Sequence, residues 1–463
     1  MRTGGHDQSI RDRGARNRPA SDGPGDRPRT GRVRRVVIGS LLAGLVLAGV
    51  LTMVAFGGAE EPVITGAALL GFGLGWALLA VLSIRMTDHP QRWALVPATA
   101  MALTGLGLVV LAPDNRGLTA AGWVWPPFML ALAVWIGLRV RRSLPARGGR
   151  WALYPVAVLT AAAAVGGMVT TVALASDDRF DHVPGQTFDV DGHRLHLHCT
   201  GSGSPTVVLQ SGQGEFSPHW SLIAPAVSRT TRVCAYDRAG QGWSDDAPRA
   251  QDGYEAAADL DTLLQAAGED GQYVVVGHSI GGAHTMAFAA RYPEQVAGAV
   301  LLDASNLYET PADGVSSGAD TLGPVALLPT FGRLGLGYLL PASGAGLPEQ
   351  AAGDAEAFAA SPRGWRNYRD DFATMPALFR QAQQLTTLGS RPLVVLTATG
   401  EQQAEGFTDA HDRMASLSTS SSHRFTDATH AGLLDDPRGA SVSARAINDV
   451  VHAVRTGAPL PPD

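Results

Sequence analysis

Five long apolar runs dominate the first 175 residues: 36–58, 63–84, 93–112, 119–138 and 152–175. None contains Asp, Glu, Lys, Arg or His. Each has about the 20 residues that cross a bilayer as a helix, and the short breaks between them hold the charges. The pattern predicts five transmembrane helices. A cleavable signal peptide would be one short run with a small-residue cleavage site, so five spans argue against it. From residue 187 the pattern changes. Thr187 to Val190, Leu195 to Cys199, Thr206 to Leu209, Val233 to Tyr236, Tyr273 to Val276, Ala299 to Leu302 and Leu393 to Leu396 read as short strands. Helices are expected at 253–267, 280–291 and 440–455. Alternating strands and helices predict an α/β domain with a mostly parallel sheet, and the closely spaced first strands predict an antiparallel start. Residues 305–391 interrupt the alternation as a long mixed insertion.

Charge orients the front half. Residues 1–35 carry ten arginines against four aspartates and are expected to form a disordered basic tail. A basic head suits nucleic acid or an anionic membrane surface, and the spans that follow select the membrane. Arg85 and Arg92 lie between spans two and three; Arg139, Arg141, Arg142, Arg147 and Arg150 follow span four. The alternate loops hold Glu60 with Glu61, and Asp114 with Arg116. The positive-inside rule then puts the N-terminus in the cytoplasm and everything after about residue 176 outside the cell membrane. The expected units are a tail over 1–35, a five-span domain over 36–175 and an α/β domain over 176–463. Uncharged spans count against a coupled transporter. Gly71 and Gly75 form a GxxxG pair compatible with close helix packing.

Composition narrows the rest. The chain has 463 residues, 45% hydrophobic and 17% charged, which excludes a disordered protein. Its 36 basic residues are all arginine. Two cysteines exclude a disulfide-rich scaffold and a Cys-based zinc site.

Candidate chemistry centres on Gly277-His278-Ser279-Ile280-Gly281, a G-x-S-x-G pentapeptide between an expected strand and an expected helix. There a sharp turn lifts a serine clear of the sheet, and the helix N-terminus behind it favours negative charge. A second match, Gly314 to Gly318 around Ser316, follows no strand and reads as a decoy. A nucleophilic serine needs a base, and His430, in a late strand-to-loop segment, is preferred to His411 and His423. Asp303, at the end of Ala299 to Leu302, is the expected acid. Glu401, beyond Leu393 to Leu396, is the alternative, and Asp409 lies further along the same loop. Two backbone donors should face the developing oxyanion: Ile280, after the nucleophile, and Gln213, in the glycine-rich loop Gln210 to Glu215.

Together these residues resemble the α/β-hydrolase fold family over about residues 187–456. Asp237-Arg238-Ala239-Gly240-Gln241-Gly242-Trp243-Ser244 is similar to the family's D-R-x-G-x-G-x-S stretch. There are departures. Ser211 stands where the family usually has histidine, and Gln403 where it usually has the acid, which is why the acid moves to Asp303. The resemblance implies that 305–391 is a lid. A serine nucleophile implies an acyl-serine intermediate, hence a membrane-anchored esterase or lipase acting on small ester or lipid-like substrates without metal or cofactor. His193, His196 and His198 read as strand surface. The resemblance makes the strands of Cys199 and Cys234 neighbours, so the two are expected either to bridge or to remain buried thiols. The competing reading is an inactive hydrolase-fold protein serving membrane interactions.

Overall fold

The structure is a computed structural model that describes residues 30–144, 149–176, 183–247, 250–269, 271–308, 323–340, 344 and 346–461. The Ser316 pentapeptide, Arg147 and residues 1–29 of the expected tail lie outside the described residues.

The front half is helical: α1 (Thr30–Val50), α2 (Glu61–Met86), α3 (Leu95–Leu111), α4 (Asn115–Ala121), α5 (Trp125–Ser143) and α6 (Arg150–Ala175). Four helical spans are long and apolar enough to cross a membrane, and the α4–α5 pair makes a fifth if counted together. Two expectations are corrected. The helix begins at Thr30, so residues 30–35 are not part of an unstructured tail. The run 119–138 is not one helix: α4 and α5 meet at 46° across a short break. Pro126 and Pro127, in the first turn of α5, have no N–H to bond back into a preceding turn.

Small residues let α1 and α2 touch through their main chains. A Cβ built on Gly71 would lie 2.4 Å from the Ala48 nitrogen, and Gly75 packs on Gly44. The bundle's outer surface is apolar, with Leu103, Leu111, Val158 and Leu159 all exposed.

The back half holds one eight-stranded sheet: β1 (Gln186–Val190), β2 (His193–Thr200), β3 (Thr206–Gln210), β4 (Val233–Tyr236), β5 (Tyr273–His278), β6 (Val296–Leu302), β7 (Leu393–Ala398) and β8 (Ser421–Thr426). The order is β1-β2-β4-β3-β5-β6-β7-β8. The β1–β2 and β2–β4 pairs are antiparallel and the rest parallel. The inner strands β3, β4, β5 and β7 are buried along their whole length, as continuous apolar runs covered on both faces should be. The covering helices are α7 (Ala224–Val227), α8 (Gly253–Ala266) and α9 (Ile280–Arg291), the helices of the 305–391 insertion expected to be a lid, α10 (Leu328–Arg333), α11 (Glu349–Ala360) and α12 (Pro362–Ala382), then α13 (Phe407–Ala415), α14 (Gly432–Asp435) and α15 (Pro437–Thr456). Cys199 and Cys234 face each other across β2 and β4 and are joined by a disulfide.

The lid rests on the bundle. Arg333 of α10 bonds both carboxylate oxygens of Glu61 and the side-chain oxygen of Asn115 (2.7 Å). Arg366 of α12 reaches the same Asn115 oxygen (2.8 Å), and Arg369 reaches Glu60 (3.1 Å). Thr330 and Thr65 share a 2.7 Å hydrogen bond.

Candidate active site

Ser279 stands between β5 and α9 with φ +56°, a conformation that β-strand and helix both exclude. Neighbouring elements hold it there. Its N–H donates to Leu302 O of β6 (3.1 Å), and its carbonyl accepts from Gly282 and Ser305. The flanking glycines are sterically required. A Cβ at Gly277 would come 2.2 Å from Gly281 O, and one at Gly281 would come 2.1 Å from Gln210 O. The serine is therefore held partly exposed above the C-terminal edge of the sheet, with the first N–H groups of α9, Ile280 foremost, lacking intrahelical partners.

His430 lies in the loop after β8. Its Nδ1 is 2.6 Å from Asp303 Oδ2, at the end of β6. Asp303 is buried, takes φ +43°, and accepts a second hydrogen bond from Ala398 N–H (2.9 Å). The alternative acid, Glu401, accepts the main-chain N–H of His430 (2.9 Å) instead of facing its ring. The other histidines are engaged elsewhere. His411 and His423 converge on Thr397 Oγ1 at 2.6 and 2.7 Å, and His423 also meets Asp412. Gln403 donates to Ala398 O and closes the end of β7. His193 pairs with Asp259 and His196 with Asp237, so the three histidines of β2 do not converge.

The loop after β3 is braced on every side. Arg238 donates to Ser211 O (2.7 Å), Trp220 to Ser211 Oγ (2.9 Å) and Gln241 to Gly212 O (3.4 Å). Ser211 is thus a small acceptor for a buried indole. Gly212 N–H is taken by Glu215 (2.7 Å), which leaves Gln213 as the next donor along the loop. Arg238 belongs to the D-R-x-G-x-G-x-S stretch, whose Asp237 accepts from Ser217 N–H (2.8 Å) and Trp243 N–H (3.1 Å). That stretch is a brace for the site.

Sequence reasoning missed one pair. His278, the variable residue of the pentapeptide, places Nδ1 3.0 Å from the Glu215 carboxylate and Nε2 3.0 Å from His430 O. Both partners are acceptors, an arrangement that favours a proton on each ring nitrogen. Burial opposes charge on each member, but their mutual attraction outweighs it: Glu215 falls to about 2 and His278 rises above its ordinary value. Both residues sat in motifs already quoted. Only their meeting across 63 positions was hidden.

Two cavities flank the site. One, of about 700 Å³, runs from Gln213 and Gly214 under the lid, walled by Tyr338, Phe358, Trp365 and Tyr368. The other, of about 370 Å³, has charged residues in its wall, among them Glu61, Arg238, Arg366 and Asp370, and lies where α12 meets the Arg238 loop and the bundle. In it Asp371 is buried with Oδ2 unpartnered, and burial raises its carboxyl to about 7.

Residues 205–345 match the family model of the alpha/beta hydrolase fold. An uncharacterized protein of Schizosaccharomyces pombe is 35% identical over 155 residues, covering 27% of this chain and 29% of that protein. The 2-hydroxy-6-oxo-2,4-heptadienoate hydrolase of Pseudomonas putida is 34% identical over 129 residues, covering 27% of this chain and 46% of the enzyme. Matches to the first four curated relatives span between 19% and 47% of their lengths. The crystal structure of Cfl2 from Burkholderia cenocepacia is similar over 57% of this chain and 95% of its own, at 21% identity and a TM-score of 0.47.

Proposed function

We propose that the chain, which over residues 205–345 matches the alpha/beta hydrolase fold family, is a membrane-anchored serine hydrolase whose catalytic domain faces the cell exterior. The observation that carries the reading is the alignment of three elements at one sheet edge: Ser279 on its strained turn, His430, and Asp303 at 2.6 Å from it. In the reaction His430 takes the proton of Ser279 Oγ as that oxygen attacks an ester-like carbonyl. Asp303 fixes the ring through Nδ1 and stabilises the imidazolium. Gln213 and Ile280 N–H groups hold the oxyanion. The proton passes to the leaving alcohol, and water then releases the acid from the acyl-serine.

The membrane part of the reading rests on helix length and on the apolar outer surface of the bundle. The exterior placement rests on the arginine-rich alternate loops and agrees with the disulfide, a bond that persists in oxidising compartments.

The test is labelling of membranes carrying the full chain with a fluorophosphonate probe, beside Ser279→Ala and Ser316→Ala. Labelling of the wild type and of Ser316→Ala, lost in Ser279→Ala, is expected. An unlabelled but folded wild type would favour the inactive interaction protein.

A further inference from the structure

We infer that the site draws its substrate sideways from the outer leaflet of the membrane, so that the substrate class is a long-chain carboxylic ester resident in the bilayer. The inference rests on the serine-hydrolase reading and gives the bundle a part in substrate delivery.

The argument starts from depth. Helix α6 rises about 1.5 Å per residue, so Gly166 lies about 24 Å from Arg150 and about 13 Å short of Ala175. A hydrocarbon layer of about 30 Å that begins near Trp151 therefore extends some 7 Å beyond Gly166. The lid main chain rests directly on this point. A Cβ built on Gly166 would lie 2.0 Å from Leu334 O, and one on Gly335 would lie 2.8 Å from Gly166 O. Leu334 to Leu340 is thus level with the outer leaflet, beside the helix.

The same segment is apolar and outward-facing. Leu336, Tyr338, Leu339 and Leu340 are exposed, Leu339 at 81%. At this depth those side chains meet acyl chains, and their burial there is favourable. On its inner side the segment is pocket wall, because Gly337, Tyr338 and Leu340 line the 700 Å³ cavity that ends at Gln213 and Gly214. One short piece of chain therefore separates lipid from the oxyanion loop. The Arg333, Arg366 and Arg369 contacts to Glu61, Asn115 and Glu60 tie the lid to the outward ends of α2 and α4.

In the reaction the Ser279 Oγ–carbonyl bond forms and the ester bond to the alcohol breaks. The serine proton leaves with the alcohol by way of His430. Water then cleaves the acyl-serine and yields the fatty acid, which returns to the membrane.

The test uses the full chain in phosphatidylcholine vesicles. Leu336 and Leu339 do not line the cavity, so the double variant Leu336→Asn/Leu339→Asn is compared with wild type on two esters: water-soluble p-nitrophenyl butyrate, and a long-chain diacylglycerol within the bilayer. Hydrolysis of the embedded ester should fall at least tenfold while the soluble ester is cut within twofold of wild type. Equal loss on both esters, or loss on neither, would overturn lateral access. Depth is read separately. Both native cysteines are bonded to each other, so Leu339→Cys supplies a unique thiol for a bimane label. Quenching by lipids brominated on the acyl chain is expected, and fluorescence insensitive to them would overturn the proposal. Wild type that cuts neither ester, with Ser279 unlabelled by fluorophosphonate, would count against the hydrolase reading itself, and the bimane result would still report whether the lid lies in the membrane.

Discussion

The imidazole of His278 lies 4.5 Å from that of His430, centroid to centroid, and its Nε2 donates to the His430 carbonyl. His278 thus braces the main chain at His430, the proposed base, and, through Glu215, the main chain of Gly212 in the proposed oxyanion loop.

Glu215→Gln should expose this coupling through pH. The lowered carboxyl of Glu215 contributes stability that is full above its ordinary 4.5 and is lost as pH falls through about 2. The raised imidazole of His278 contributes stability that is full below its ordinary 6.5 and is lost as pH rises through its folded value. Both contributions are complete between those two ordinary values. The variant should therefore lose most thermal stability near pH 5–6, and the deficit should shrink above pH 7. Unfolding midpoints of wild type and variant across pH 5–9 check this; a deficit that grows with pH would contradict the ion pair.

Truncating the triad should separate chemistry from structure. Ser279→Ala and Asp303→Asn are each expected to lower kcat by about 10³–10⁴ or more, with KM within a few-fold. Glu401→Gln, which removes the charge but keeps an oxygen to accept the His430 N–H, should cost less than tenfold. Steady-state kinetics on a soluble ester measure all three, and the reverse ranking of the two carboxylates would transfer the acid role to Glu401.

Asp371 is a destabilising group at alkaline pH. Its folded carboxyl is raised from 3.8 to about 7 by burial, opposed by Arg238 and reinforced by Asp370. A raised carboxyl leaves stability intact below 3.8 and erodes it as pH climbs toward 7. Asp371→Asn should accordingly stabilise the protein by on the order of 2–4 kcal/mol at pH 8 and change little at pH 4. Chemical denaturation at the two pH values reads the difference.

The disulfide ties the antiparallel start of the sheet to its parallel remainder. Closing a loop across 35 positions is worth about 3–4 kcal/mol in chain entropy. Alanine at both cysteines should lower stability by about that amount while kcat stays within twofold. Intact mass after alkylation, with and without reductant, shows whether the bond is present, and two alkylated thiols without reductant would refute it.

Much of this architecture was legible in residue pattern. The inner strands are unbroken apolar runs, so Tyr273 to Val276 and Leu393 to Leu396 announced themselves, and 280–291 matched the observed α9. Asp303 stood out because it ends such a strand, and His430 because it follows Ser279 late in the chain, in a loop beyond the polar edge strand β8. The break between α4 and α5 was less visible, since hydropathy does not register the missing N–H groups of Pro126 and Pro127. The His278–Glu215 pair depends on two loops meeting across the sheet edge, which periodicity does not encode. The same holds for Glu60 and Glu61. In sequence they mark an outward loop; in the fold Glu61 is a buried acceptor for the lid.

That last contact bears on how the enzyme can be handled. A soluble fragment cut after α6 would keep Arg333, Arg366 and Arg369 and leave Glu60, Glu61 and Asn115 behind. Its Arg333 would lose Glu61 and Asn115, while Arg366 would keep Asp246 and Arg369 would keep Asp370. If the bundle delivers substrate as inferred above, such a fragment should still cut soluble esters and lose its action on the membrane-embedded one. Portability has been given up here, because the floor on which the lid stands is made of helix ends.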